Sequence, residues 1–257
     1  MPAWHLDWDR REPDMPGGTL VDQVVKELET LGTAVSGALD VHEAAAEACE
    51  ARKETMEGVA AHLRSWLTTF DDAVVPHIAS VSQWVGGLAH EGWTFGGAIS
   101  TWRERAEGLA TMTANHPLGA LRHAADLAVQ EVTFEIQEHG KLSTAIGHVK
   151  EWFDDVAAGS AAHITNIELI RSSSGVPTAR RLAEDTQSWL AERVTEAWGV
   201  RKPLADFDMM RARPLAFPSG SPRPHHDLAR AAVTVSQRVA AALHAARGLV
   251  ESDVFAP

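Results

Sequence analysis

The fold of this chain depends on the stretch QWVGGLAHEGWTFGGAIS, at residues 83–100. It contains five glycines and three aromatic residues, and long Ala-rich, charged segments lie on both sides of it. Because glycine is a poor helix former and lets the chain reverse direction, we predict that this stretch is a turn between two long helices. Its aromatic side chains would cover the exposed ends of the helices.

Both flanking segments carry one seam of apolar or small residues at steps of mostly three and four. The first seam runs from Leu20 to Trp84, and the second continues to Ile170 after a break at Pro117. A helix with a single apolar seam must bury it against another element, and the other arm is the nearest one. We therefore predict an all-α fold with a coiled-coil-like antiparallel hairpin over 19–171, whose tip is 84–100.

Proline and glycine set the remaining boundaries. Residues 1–18 have the composition of an irregular leader, and Thr19 with Asp22 has the spacing of a helix-capping box. In the first arm, Pro76 should kink or divide the helix near Val74. Residues 172–257 should form two further helices, at about 179–198 and 227–251, packed on the hairpin and joined by a Pro-rich loop at 199–226.

The composition of the chain indicates which kinds of partner it can bind. The formal net charge is −12, a field that repels phosphate backbones and anionic lipids, so we expect protein partners, another copy among them, and no nucleic acid. Cys49 is the only cysteine, on a predicted helical seam, and we interpret it as a buried structural residue. The N-terminus has no basic and apolar signal pattern, so we expect a cytoplasmic protein or one secreted without a cleavable signal.

Few residues in the sequence are candidates for catalysis or metal binding. The densest titratable cluster is His225, His226 and Asp227, a weak metal candidate, which we interpret as Asp227 capping the last helix beside two solvated histidines. Phosphate-loop, dinucleotide and nucleophile-elbow patterns are missing from the sequence, so we expect no cofactor and favour a non-enzymatic protein. A site assembled from residues far apart in sequence would leave no local pattern of this kind.

Trp84-Val85-Gly86 is a Trp-x-Gly triplet in the predicted turn of a helical hairpin. This arrangement resembles the WXG and PPE-type substrates of type VII (ESX) secretion systems. The resemblance implies export without a cleavable signal and pairing through helical faces. The export signal of that family contains a tyrosine, and this chain has none. We predict that Trp84, Gly86, Trp93 and Phe95 form a contact surface at the hairpin tip.

Three other classes fit the same sequence. An α-pore-forming toxin, or a component of one, would use the Gly/aromatic stretch as a membrane-inserting tongue. A cytoplasmic scaffold would use the seams to bind partner helices. A helical enzyme would assemble its site from distant residues. The leading interpretation is a helical protein that acts through association, with secretion-substrate behaviour as its first form.

Overall fold

The computed structural model describes residues 19–74, 117–173, 175–209 and 223–255, together with a few positions between 76 and 90. Four α-helices lie in these ranges: α1 (Leu20–Thr69), α2 (Pro117–Ser172), α3 (Val176–Met209) and α4 (Pro224–Glu251). A short 3-10 helix at Asp253–Phe255 follows α4. The described residues contain no strand, which confirms the all-α prediction.

The chain divides into two compact units. We call residues 1–50 with 141–257 the bundle, and residues 51–140 the insert. The bundle contains the first part of α1, the last part of α2, and the whole of α3 and α4. All four contribute to one hydrophobic core, whose fully buried larger members are Leu28, Leu31, Leu142, Phe153, Ile167, Ile170, Leu190, Leu204, Leu228 and Leu249.

Within the bundle, α1 and α2 run antiparallel. Arg171 near the end of α2 forms an ion pair with Asp22 at the start of α1. At the other end, Ser143 Oγ donates a hydrogen bond of 2.9 Å to Glu50 Oε1. Asp22 also completes the predicted capping box, because its backbone N–H donates to Thr19 Oγ1 at 3.2 Å while its carboxylate accepts from the Thr19 N–H at 3.1 Å.

Within the insert, the two helical segments are also antiparallel. Arg64 Nη2 donates to Thr133 Oγ1 at 3.0 Å, and further along α1 Asp71 pairs with Arg122 of α2. The hairpin arrangement is therefore present in each unit. A π-helical turn at Phe70–Val74 replaces the α-helix just before Pro76, where the sequence predicted a kink or division. Proline has no N–H to continue the hydrogen-bond ladder.

Two predicted boundaries differ from the structure. Residues Trp84, Gly86 and Gly87 are helical, so the turn does not begin at residue 84. A glycine costs only about 1 kcal/mol in a helix relative to alanine, which a helix can tolerate. Residues 199–209, which were predicted as part of the Pro-rich loop at 199–226, are helical, since α3 continues through Pro203 to Met209. The burial of Leu204 and Phe207 stabilises this extra helical length.

Candidate functional site

The predicted contact surface is described in part. Trp84 is exposed over 66% of its surface, and an added Cβ at Gly86 would have no neighbouring atom within 4 Å. Trp93 and Phe95 lie outside the described residues. The structure therefore presents an open Trp84 beside an uncrowded Gly86, on a helix rather than in a turn.

The insert exposes several more large apolar side chains. They lie on both of its helical segments and are Val59, Trp66, Leu121, Leu127 and Phe134. Trp66 also stacks on the buried Phe70, with the ring centroids 5.3 Å apart. Large exposed apolar groups close together are typical of surfaces that bind other proteins.

Four of these side chains form two exposed pairs, Val59 with Trp66 on α1 and Leu127 with Phe134 on α2. Val59 and Trp66 are seven positions apart on α1, and Leu127 and Phe134 are seven apart on α2. At ~3.6 residues per turn, positions seven apart fall on the same side of a helix. Each helical segment therefore carries one exposed apolar column.

Polar contacts join the two helical segments of the insert. Arg64 contacts Thr133 and Asp71 contacts Arg122, and we call the side that carries these contacts the polar face. On α2, Leu127 and Phe134 fall in line with Lys141 and His148, which are exposed further along the same helix.

Asp71 and Arg122 form the principal charged contact of this polar face. Arg122 Nε and Nη2 donate to the two carboxylate oxygens at 2.7 and 2.5 Å, a bidentate pairing. The hydrogen bonds and charge of Arg122 lower the pKa of the Asp71 carboxyl, with burial opposing them. Both side chains remain over a third exposed, so the pair defines register more than it adds stability.

The structure corrects the interpretation of His225, His226 and Asp227. The last helix begins at Pro224, so Asp227 lies inside the first turn and pairs with Arg230 instead of capping the helix. His225 is buried, not solvated, and its ring lies 5.3 Å from Phe207 in an edge-on contact. Among the described residues, no group of three or more His, Cys, Asp or Glu is placed to hold a metal ion.

Sequence reasoning missed a polar contact between α2 and α3. His163 stacks on Trp189, with ring centroids 4.7 Å apart, and its Nδ1 lies 2.9 Å from Thr186 Oγ1. The Thr186 hydroxyl donates its own hydrogen to the Leu182 carbonyl, so His163 Nδ1 carries the proton and donates. The lone pair of the imidazole is therefore on Nε2. Burial is the main cause that lowers the pKa of His163, and Asp185 opposes it.

The same helix crossing depends on Gly159. An added Cβ at this position would overlap the indole of Trp189, whose Nε1 would lie only 2.7 Å away. The sequence signal was a weakening of the second seam at Ser160 and His163, but nothing local shows that α3 supplies the indole. The contact of His163 and Trp189 therefore positions α2 against α3.

Three ionisable side chains on α2 are buried in the insert: Glu135, Glu138 and His139. His139 Nδ1 lies 3.0 Å from the Glu135 carbonyl oxygen, which can only accept, so this nitrogen carries the proton. Glu135 and His139 are four positions apart on one helix face. The local hydrogen bond fixes the ring against its own helix and explains this histidine structurally.

Within the described ranges, every helix lacks the long apolar stretch that crossing a bilayer requires. The comparisons with known proteins add no identity: neither family models, curated proteins nor solved structures gave a match to this chain.

Proposed function

We propose that this chain acts by association with other protein chains, through the apolar side chains that the insert exposes. The observation that carries the proposal is the concentration of large exposed apolar residues between positions 51 and 140, with Trp84 the most exposed. Aromatic side chains bury much area at low entropic cost, so they dominate the energetics of many interfaces. The bundle buries most of its larger apolar residues in a common core, and exposes Leu169, Val194, Trp198 and Val233.

In the first form of this proposal, the chain is a substrate of type VII secretion. The support is the Trp-x-Gly triplet at Trp84-Val85-Gly86 together with antiparallel helices in both units. An exposed indole on a helix is available to a component of the export machinery. The helical position of Trp84 differs from the turn position that the resemblance implies.

Fractionation of the native host culture tests this form. The protein should be found outside the cells when the type VII secretion ATPase works, and should stay inside when the ATPase is inactive. Strictly cell-associated protein in both cultures would eliminate the secretion form and leave association inside the cell. Export that does not need the ATPase, combined with dye leakage from liposomes, would favour the pore-forming alternative.

The chain offers a matched control for the role of the triplet. Trp84→Ala with Gly86→Ala should reduce export, because the exposed indole and the uncrowded backbone beside it are both altered. Trp198→Ala with Gly199→Ala removes an equally exposed indole, 64% against 66%, from α3 in the bundle. Export that the first pair leaves unchanged, or that both pairs reduce equally, would remove the triplet from the mechanism.

A further inference from the structure

We infer that one side of α1 in the insert packs antiparallel against the same side of α1 in a second copy, about a two-fold axis at His62. The inference rests on the proposed function and names the partner for part of the exposed surface. We call this side the outer face of α1. It consists of exposed residues in three neighbouring columns of the helix: Thr55, Gly58, Val59, His62, Ser65, Trp66 and Thr69.

The polar contacts with α2 lie on a different side of α1. The residues of α1 and its π-helical turn that make these contacts are separated by multiples of seven positions: Asp22, Glu50, Arg64 and Asp71. The side that faces α2 therefore follows a seven-residue repeat along the helix. Val59 is five positions before Arg64, and Trp66 is two positions after it. At ~100° per residue, both lie about 140–160° away from the side that faces α2.

In the bundle, other helices cover the side of α1 that continues into the outer face. The residues that precede Val59 at multiples of seven positions are buried there: Val24, Leu31, Ala38 and Ala45. In the next column, Ala34 and Val41 pack against the core, whereas His62 follows at a multiple of seven positions and is exposed. Val59 and Trp66 are likewise 45% and 39% exposed. A helix packed on the outer face would therefore continue an established helical interface.

The outer face is complementary to itself about His62. In an antiparallel pair with His62 on the two-fold axis, residues equally far before and after His62 lie opposite each other in the two copies. The opposed pairs are Trp66 with Gly58, Val59 with Ser65, and Thr55 with Thr69. Each large apolar side chain therefore meets a small residue, and an added Cβ at Gly58 has no atom of its own chain within 4 Å. A two-fold interface of this kind closes the assembly as a dimer.

Charge and hydrogen bonding also favour this pairing. None of the seven residues is Asp, Glu, Lys or Arg, so the pairing buries none of the charges that make up the net charge of −12. The hydroxyl groups of Thr55 and Thr69 already donate to backbone carbonyls of their own helix, at 2.9 and 3.0 Å. Beyond the ends of the face, Arg52 and Asp72 are equally far from His62, so opposite charges meet at both ends of the pair.

The experiment measures the mass of the full-length chain by sedimentation velocity, from low to high micromolar concentration. We expect a reversible monomer–dimer equilibrium, because one pair of helices makes a small interface. Gly58→Leu should weaken dimerisation by about tenfold, because leucine fills the space that Trp66 of the other copy occupies. An apolar surface without a defined pairing would respond in the opposite direction, because this variant adds apolar area.

The chain offers a matched control in Gly37→Leu. Gly37 is also exposed and uncrowded, and it precedes Gly58 at a multiple of seven positions, within the bundle segment of α1. This variant should leave the equilibrium unchanged. Gly58→Leu combined with Trp66→Ala should regain part of the lost affinity, because the leucine then faces a small residue. Circular dichroism checks that each variant is folded, and leucine is a better helix former than glycine at both positions.

Cross-linking tests the orientation of the two helices. With Cys49 replaced by alanine, His62→Cys should oxidise to a disulfide-linked dimer, because the two thiols adjoin the two-fold axis. Thr55→Cys should not, because antiparallel pairing places Thr55 opposite Thr69. Equal cross-linking of both variants would indicate a parallel pair and would contradict the axis at His62.

Three further results would overturn the inference: a wild-type chain that is monomeric throughout, a dimer that Gly58→Leu leaves intact or strengthens, or a dimer that Gly37→Leu weakens as much. A monomer needs one more measurement to judge the proposed function separately. Fluorine NMR of 5-fluorotryptophan protein, with the Trp66 signal assigned from Trp66→Phe, reports whether this indole is open to solvent. A solvent-open Trp66 in a monomer removes only the self-pairing, whereas a protected one shows that the chain covers its own outer face and removes Trp66 from the association surface as well.

Discussion

The bundle and the insert use the same kind of helix with opposite results for their apolar residues. Phe153 and Phe134 lie on the same helix, α2, yet Phe153 is fully buried in the bundle and Phe134 is 45% exposed in the insert. The difference does not lie in the residue type or in the helix. It lies in the side of α2 that each ring occupies, because Phe153 faces the core that α3 and α4 complete, whereas Phe134 is in line with Lys141 and His148, which are exposed in the bundle as well.

An amphipathic seam therefore shows which side of a helix must be covered, but it does not identify the element that covers it. In the bundle, other helices of the same chain cover the seam. In the insert, the described helices bury Met56, Ala60 and Phe70, while Val59, Trp66 and Leu127 remain exposed. Stability should therefore be concentrated in the bundle, and binding capacity in the insert.

The most direct test of this contrast is to delete the same side chain in both units. Phe153→Ala should lower the free energy of unfolding by about 3–5 kcal/mol, through lost burial and a cavity. Phe134→Ala should change it by less than about 0.5 kcal/mol, as is usual for exposed positions. Urea unfolding followed by circular dichroism, in dilute protein so that association does not contribute, measures both. Similar losses in the two variants would contradict the division of roles.

The next largest effect concerns glycine in α2. Gly159→Ala forces a Cβ into the indole of Trp189 and should destabilise the bundle by about 1–3 kcal/mol. The control is Gly147→Ala on the same helix, where an added Cβ meets no atom within 4 Å. That change should stabilise the chain by up to about 1 kcal/mol, because alanine is the better helix former. If urea unfolding shows that Gly159→Ala and Gly147→Ala shift the free energy of unfolding in the same direction, Trp189 does not pack on Gly159.

Much of the fold could be predicted from the sequence, because the seam is a local pattern repeated over many turns. The seam predicted the burial of Val24, Leu28, Val149 and Phe153, and the single cysteine, Cys49, is buried as interpreted. The same pattern also included Val59, Trp66 and Leu121, which are exposed. Periodicity shows which side of a helix needs a neighbour, and cannot show whether the chain provides one.

The errors and omissions have a common physical cause, since each depends on contacts between residues distant in sequence. Pro203 signalled a loop, but the burial of Leu204 and Phe207 keeps that segment helical. His225 was interpreted as solvated, and packing against Phe207 buries it. The contact of His163 with Thr186 and Trp189 joins two helices, and no spacing within either helix identifies the partner. The contact surface itself was predicted only at Trp84 and Gly86 among the described residues.

The pH dependence of the unfolding free energy tests the burial of His163 in the bundle. Burial lowers the pKa of His163, so the folded state binds its proton less readily than the unfolded state does. This contribution to stability is complete above the ordinary histidine pKa of 6.5 and is lost as the pH falls through the lower folded value. We expect His163→Gln to flatten the decline in unfolding free energy between neutral and mildly acidic pH.

His148→Gln, at an exposed position on the same helix, is the control for this titration. It should leave the pH profile close to that of the wild type. His42 also has a pKa lowered first by burial and then by Lys150, so part of the decline should persist in His163→Gln and disappear only when both histidines are replaced. A profile that His163→Gln leaves unchanged would show that the imidazole is equally free to protonate in the folded chain.

The smallest expected effect on stability comes from the ion pair between Asp71 and Arg122, on the polar face of the insert. Asp71→Asn, Arg122→Gln and the double variant form a thermodynamic cycle, and we expect a coupling of less than about 1 kcal/mol, because both partners are partly exposed. Arg122 lowers the pKa of Asp71, so the coupling should be present above the ordinary aspartate pKa of 3.8, fade as the pH falls through the lower folded value, and weaken in high salt. A coupling well above about 1 kcal/mol, or one that high salt leaves unchanged, would contradict this expectation.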